Sequence, residues 1–416
     1  MEIFIVQLLY LLRPMFNAEL VSWGFLGFNF FELAAILLFL ALAAAFSLKL
    51  LQKSRQPVSG VEAWAILLIA WVTISYIVHI EISSVSTYAK FVIPLMTYIF
   101  LKRILPGCST HIRMTFLMLV GFLLPFMISA LLIYKGQGIH EVVYWTGLER
   151  YKGAYLTAHG LGHNAGFALM LSVVYVALRK NQRVPLRKAE MMVLALVAFL
   201  GGYLVFAPHV RSVYWGLILF FAVFLYFQDK RVLATFVVAL VGLILVFWSQ
   251  VEVVFFDFID PPDLGPDLEA IGSGRKSMWT WALEYWRQAP LLNQLTGMGV
   301  TYWEAAVARP GRTPTFGAYV DGTLPPWPDP HNDWLYALLS LGLIGLAIVV
   351  GLFWAIFQAI RRLPGNERFA LLGFFWAVVF MNALSNSYIV NFQLFQMFLM
   401  VMVYVDLRPT EGNEKV

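Results

Sequence analysis

Long apolar runs recur along the whole chain, and they restrict it to folds that place helices in a membrane. A run of about 18 apolar residues can cross a hydrocarbon core roughly 30 Å thick. Of the 416 residues, 60% are hydrophobic and 13% are charged, whereas charged residues make up about 25% of soluble proteins. The sequence therefore predicts an all-α, polytopic integral membrane protein with about 12 transmembrane helices.

The predicted spans divide the chain into three parts. An N-terminal part of about nine spans covers 1–254, an outer loop with an amphipathic helix covers 255–332, and C-terminal transmembrane helices with a short tail cover 333–416. The first run contains Arg13 and Pro14, so the alternative to a transmembrane span for this segment is a position in the membrane interface. The predicted spans are 3–20, 28–51, 60–80, 86–103, 112–134, 158–179, 188–206, 210–228, 231–254, 333–360, 367–384 and 389–406.

The basic residues predict which side of the membrane each loop occupies. Eighteen of the 29 lysines and arginines fall on alternate connections, which the positive-inside rule assigns to the cytoplasm, together with both termini. The two sizeable segments on the opposite side are about 135–157 and about 255–332. The eighteen residues are Lys49, Lys53, Arg55, Lys102, Arg103, Arg113, Arg179, Lys180, Arg183, Arg187, Lys188, Lys230, Arg231, Arg361, Arg362, Arg368, Arg408 and Lys415.

Two arginines on the outer side open helices, where a cation opposes the helix dipole. Arg211 begins a predicted span, and Arg275 begins the predicted amphipathic helix. A bound anion would reverse the penalty, since helix N-termini and arginine forks both bind phosphate oxygens. The alternative at both positions is contact with lipid headgroups. The apolar stripe of the amphipathic helix consists of Met278, Trp281, Ala282, Tyr285 and Trp286.

Other polar groups also map to the outer ends of predicted spans. His331 immediately precedes a span, and a neutral imidazole there could accept a proton, although capping or packing is the alternative. Lys90 lies about one turn inside a span and needs water or a partner, so we interpret it as an auxiliary phosphate contact. His163 could bind substrate or, with Asn164, simply bridge helices.

Arginines, a lysine and a histidine on one membrane face predict chemistry on a diphosphate leaving group. The cations would hold the diphosphate and the histidine would act as general base, without metal or cofactor. The sequence has no His-Glu-x-x-His motif, no zinc-type cluster, no Walker loop, and a single cysteine, Cys108. The net charge of +5 does not indicate a nucleic-acid partner. Most basic residues flank predicted spans, as expected for a protein whose partner is the lipid bilayer.

Four short motifs resemble those of the O-antigen ligase and polymerase superfamily. Residues 330–335, Pro-His-Asn-Asp-Trp-Leu, with Leu-Gly-Leu-Ile-Gly-Leu at 341–346, resemble its His-Asn…Gly-x-x-Gly signature. Residues 274–279, Gly-Arg-Lys-Ser-Met-Trp, then Pro290 and Thr-Gly-Met-Gly at 296–299, resemble its Arg-x-x-x-Trp…Pro…Gly-x-Gly stretch. Gly-Leu-Gly-His-Asn-Ala at 160–165 is similar to its Gly-x-x-His-x-Asn element, and Arg211 with Tyr-Trp-Gly-Leu at 214–217 to its Ser-Arg-Gly-x-Trp-x-Gly element.

The resemblance implies a bacterial inner-membrane glycosyltransferase that acts on the periplasmic face. Members transfer a glycan from undecaprenyl diphosphate to an acceptor sugar hydroxyl, without metal. Carried over by position, Arg211 and Arg275 would bind the diphosphate, and His331 would activate the acceptor. Asn332 belongs to the same motif and is predicted to contact substrate. The outer loop at 255–332 would then be periplasmic.

Three classes of function remain open from the sequence, and the first, a glycosyltransferase, has two versions. A ligase would use the lipid A core as acceptor, and a polymerase of the same superfamily would use another lipid-linked repeat unit. A lipid or polysaccharide transporter is the alternative of another class, although transporters place charged groups near the bilayer midplane. A non-catalytic membrane scaffold is the third.

Overall fold

The computed structural model describes most of the chain, and every structural statement below concerns the described residues. These are 2–17, 24–25, 28–51, 57–80, 85–143, 148–246, 275–299, 330–385, 388–389 and 392–408. The predicted outer loop is thus described only at 275–299 and from 330 onward.

Helices dominate the described residues. They are α1 (Glu2–Leu12), α2 (Phe30–Leu51), α3 (Gly60–Val78), α4 (Val85–Ile104), α5 (Cys108–Tyr134), α6 (Ala158–Asn181), α7 (Lys188–Phe206), α8 (Arg211–Gln228), α9 (Lys230–Val246), α10 (Arg275–Gln288), α11 (Leu291–Thr296), α12 (Asp333–Arg361), α13 (Gly365–Leu384) and α14 (Phe392–Leu407). Strands β1 (Gly24–Phe25) and β2 (Phe28–Asn29) form one antiparallel hairpin, and β3 (Ile139–Val143) and β4 (Leu148–Tyr151) form another.

The helices agree with a polytopic membrane protein. Seven of them, within the described ranges, are long and apolar enough to cross a membrane: α3, α5, α6, α7, α8, α12 and α13. Shorter apolar helices cover Glu2–Leu12, Leu37–Leu48 and Phe392–Leu407. The first predicted span, 3–20, contains a helix that ends at Leu12, because the next residues turn through Pro14 into a 3-10 turn. The figure of about 12 spans stays a prediction.

Small residues let the helices approach closely, as is usual between membrane helices. A Cβ atom on Gly166 of α6 would lie 2.5 Å from the Val213 side chain of α8. A Cβ atom on Gly216 of α8 would lie 2.6 Å from the Met381 sulfur of α13. These glycines therefore fix α8 against both α6 and α13.

Ion pairs collect at one end of the bundle, where α3 and α13 begin and α4 and α14 end. Glu62 pairs with Lys102 and Arg103, each at 2.5 Å, and Glu367 pairs with Arg408 at 3.4 Å. Removing one partner of such a buried pair typically costs about 3–5 kcal/mol. We call this the inner end and the opposite end, where α6, α8 and α12 begin, the outer end; the names follow the sides predicted from charge.

Helix α12 is interrupted near its outer end. Gly342 has φ 71° and ψ −175°, so the helical path breaks there and resumes. The sequence predicted an uninterrupted span over 333–360. The break leaves carbonyl groups of the preceding turn without partners inside the helix, and those groups must bond elsewhere because hydrocarbon offers no substitute.

Candidate functional site

The residue before α12, Asn332, is fully engaged by backbone groups. Its side-chain Oδ1 accepts hydrogen bonds from the backbone N–H groups of Trp334 and Leu335, at 3.0 and 3.1 Å, and thereby caps the helix. Its Nδ2 donates to the carbonyl of Ala383 at 2.9 Å. The predicted substrate contact by Asn332 has no direct support, and these bonds favour a role in holding the turn.

His331 lies at the start of this turn with an uncommon backbone conformation. Its φ is 45°, in the left-handed region that few residues other than glycine adopt. Its side chain is half-buried. Strained conformations of this kind cost on the order of 1–3 kcal/mol and persist where surrounding contacts hold them. Described hydrogen bonds at Pro330, Asn332 and Asp333 flank this conformation on both sides.

Asp333 ties the turn to the connection between α13 and α14. The residue is 0% exposed, and its Oδ2 accepts hydrogen bonds from the backbone N–H groups of both Tyr388 and Ile389, each at 2.9 Å. The Tyr388 N–H also bonds Asn382 Oδ1 at 3.0 Å. Hydrogen bonds to an ionised acceptor are stronger than neutral ones. Neither Asp333 nor Tyr388 was singled out from the sequence, because their partners lie 55 residues or more along the chain.

Helix α10 reaches the same turn through an indole. Trp279 Nε1 donates to the carbonyl of Pro330 at 2.8 Å. Arg275 lies on the same helix, one helical turn before Trp279. The side chain of Arg275 lies outside the described residues. At Ala282 the predicted apolar stripe packs on protein, against Met298 and against Leu339 of α12.

The segment after α11 docks into the break of α12. The N–H groups of Met298 and Gly299 donate to the carbonyls of Leu339 and Ser340, at 2.9 and 3.2 Å. The indole of Trp71, on α3, donates to the Leu341 carbonyl at 2.9 Å. These three donors satisfy the carbonyl groups released by the break. The hydrogen bonds from Met298 and Gly299 therefore attach the segment after α11 to α12.

Arg211 begins α8 and is half-buried. The Oγ atom of its neighbour Ser212 lies 3.4 Å from the Nε2 atom of His163 on α6. The ring of His163 meets the ring of Tyr388 edge-on, with 6.4 Å between centroids. His163 is only 3% exposed. Its predicted substrate contact has no direct support; its contacts instead join the Arg211 turn to Tyr388.

The β3–β4 hairpin supports the turn that precedes Arg211. Arg150 is 8% exposed, and its Nε donates to the Pro208 carbonyl at 3.1 Å. The Tyr151 N–H donates to the Ala207 carbonyl at 3.2 Å. Burial, and after it the positive charge of Arg150, lowers the pKa of His209 below its ordinary value. No local sequence feature distinguishes Arg150 from solvated loop charges.

Lys90 lies on α4 and has no described contact with the other predicted site residues. Its side chain is exposed. The next residue, Phe91, stacks on Tyr336 of α12, with 6.4 Å between ring centroids. Tyr336 follows Asn332 by one helical turn, so the outer part of α4 flanks the start of α12.

The described contacts thus converge on one outer turn. The His331 turn bonds to α10 through Trp279 and to the α13–α14 connection through Asp333. In that connection Tyr388 packs on His163, which in turn contacts Ser212 in the Arg211 turn. This arrangement joins an imidazole to the elements that carry two arginines, which are groups suited to proton transfer and to binding phosphate.

One comparison with known proteins is informative. Residues 196–350 match the family model of O-antigen ligase. The matched segment runs from α7 to the middle of α12 and contains Arg211, Arg275 and His331. It confirms the family resemblance drawn from the sequence motifs. No curated protein matches the chain.

Proposed function

Starting from the O-antigen ligase match at residues 196–350, we propose that the chain is a membrane glycosyltransferase of O-antigen ligase type. It transfers a glycan from undecaprenyl diphosphate to a sugar hydroxyl of the lipid A core, on the periplasmic face of the bacterial inner membrane and without metal. The observation that carries the proposal is the Trp279–Pro330 hydrogen bond, which brings the helix begun by Arg275 to the His331 turn.

In the proposed reaction the acceptor hydroxyl oxygen attacks the anomeric carbon of the donor sugar. The new carbon–oxygen bond forms as the bond from that carbon to the diphosphate oxygen breaks, and the diphosphate leaves with the electron pair. His331 takes the hydroxyl proton, a contribution of about 10²–10⁴-fold. Attack opposite the leaving group inverts the anomeric configuration.

Arg211 and Arg275 bind the diphosphate in this proposal. Arg211 begins α8 and Arg275 is the first described residue of α10, and the donors of a helix N-terminus at Arg211 add to the charge of its guanidinium group. Their charges offset the negative charge that grows on the diphosphate oxygens as the bond breaks. Lys90 is an auxiliary phosphate contact, since it is exposed beside the start of α12.

His163 and Asn332 act one layer behind the reacting groups. Asn332 caps α12 directly after His331 and bonds this turn to α13. His163 connects the Arg211 turn to Tyr388. Substrate contacts by either residue would require the side chains to leave the bonds and packing that they have in this structure.

A transfer assay with purified protein tests the proposal. The protein in lipid nanodiscs is incubated with an undecaprenyl-diphosphate glycan and either a lipid A core acceptor or a second lipid-linked repeat. Product on the lipid A core supports the ligase, and chain elongation on the lipid-linked repeat identifies a polymerase. Flux of donor in proteoliposomes with no transfer to either acceptor would identify a transporter and overturn the proposal.

A further inference from the structure

The carboxylate of Asp333 is placed and bonded differently from a simple helix-capping group. Asn332 already caps α12 with its own side chain. The Asp333 carboxylate instead accepts two backbone N–H groups from the α13–α14 connection, at Tyr388 and Ile389. A buried charge is costly unless it is well bonded, so this bond pair holds the connection in one position.

The connection held by Asp333 also touches the donor side of the proposed site. The ring of Tyr388 is fully buried and packs edge-on against His163, whose Nε2 faces Ser212. Ser212 follows Arg211 in α8. One carboxylate, two residues after His331, therefore holds a loop whose Tyr388 ring packs on His163, the partner of Ser212 in the Arg211 turn.

We propose that Asp333 is a positioning residue that fixes His331 relative to the diphosphate-binding arginines, through its bonds to Tyr388 and Ile389. The inference rests on the proposed function. It assigns to Asp333 a role in proton transfer without contact to substrate, because the residue acts by holding the turn that carries the imidazole.

Removal of the Asp333 carboxylate is therefore expected to lower kcat and to leave the donor KM nearly unchanged. The Arg211 turn has further supports, namely the Arg150–Pro208 and Tyr151–Ala207 bonds and the packing of Gly162 on Val210. Removal of the carboxylate, by contrast, takes away the described bonds between the His331 turn and the α13–α14 connection. A displacement of about 1 Å can cost about 10²-fold in rate.

Kinetics of purified full-length variants test the proposal. We expect Asp333→Asn, which keeps one acceptor oxygen, to lower kcat about 10-fold and Asp333→Ala about 100-fold. The donor KM should stay within about twofold of wild type in both. Hydrogen exchange should be faster at the Tyr388 and Ile389 amides of Asp333→Asn, because their acceptor is weakened.

The matched control is Glu367→Gln, which alters another fully buried carboxylate at the inner end, bonded to Tyr404. Its kcat should equal that of wild type in the folded protein. Wild-type kcat in Asp333→Asn would overturn the inference, and so would an equal loss in Glu367→Gln or a loss without faster exchange. His331→Ala with wild-type turnover would instead overturn the proposed function, so the two failures are distinguishable.

Discussion

His331, Asn332 and Asp333 are adjacent in the sequence but have different environments. Asn332 and Asp333 bond to backbone groups of residues 383, 388 and 389, whereas His331 is half-buried in a left-handed conformation. The sequence predicted a histidine base here and, from the apolar run at 333–360, a helix that starts directly after this segment. It could not predict the distant backbone donors, since their position depends on how α13 and α14 pack.

Arg211 and Arg275 were both identified from their predicted position at helix starts; the structure has a helix that begins at Arg211, and Arg275 is the first described residue of α10. Arg150 was not identified, because nothing in its local sequence indicates burial. Its position depends on the pairing of β3 with β4 and on contact with the α7–α8 turn, which are properties of the folded chain.

Arg211→Lys tests whether the guanidinium fork is needed at the start of α8. Lysine keeps the charge but loses bidentate geometry, so we expect the donor KM to rise about 10-fold while kcat changes less. Steady-state transfer kinetics with varied donor would measure this. Arg231→Lys, an exposed position at the inner start of α9, is the matched control. A donor KM equal to wild type in Arg211→Lys would argue against diphosphate binding by that residue.

At the scale of elements, the main departure from the sequence prediction is the broken helix α12. The spacing of apolar residues predicted one helix, and the observed helix Asp333–Arg361 has nearly those ends. The break at Gly342 depends on donors from Met298, Gly299 and Trp71. Glycine is compatible with an intact membrane helix, so the pattern alone does not distinguish a break.

Gly342→Ala tests the importance of the break. Its φ of 71° is strained for alanine, and a Cβ there would clash with backbone atoms of Leu295 and Gly297. We expect a loss of about 1–3 kcal/mol in unfolding free energy, with lower transfer activity. Gly202→Ala in α7 is the control, since a Cβ there meets nothing within 4 Å. Equal stability of the two variants would show that the break is not required.

For the molecule as a whole, the apolar runs and the alternating basic residues carried most of the fold prediction. A described helix lies within each predicted span, although the helix in the first span, 3–20, ends at Leu12. Charged pairs such as Glu62–Lys102 and Glu367–Arg408 collect at the inner end, while the His331 turn lies at the outer end. The distribution of basic residues predicts that the inner end faces the cytoplasm.

Single-cysteine labelling tests that orientation. In a Cys108→Ser background, Gln137→Cys should react with a membrane-impermeant maleimide in intact cells. Val184→Cys, on the other predicted side, should react only after the membrane is opened. Both positions are exposed. The reverse labelling pattern would place the candidate site in the cytoplasm and would contradict a periplasmic reaction.

The most direct test of the account is the single-turnover rate of His331→Ala with bound lipid-linked donor. We predict a loss of about 10²–10⁴-fold in transfer, with donor affinity within about twofold of wild type, because the arginines still bind the diphosphate. His140→Ala, at a histidine of β3, should transfer at the wild-type rate. Wild-type transfer by His331→Ala would contradict the account.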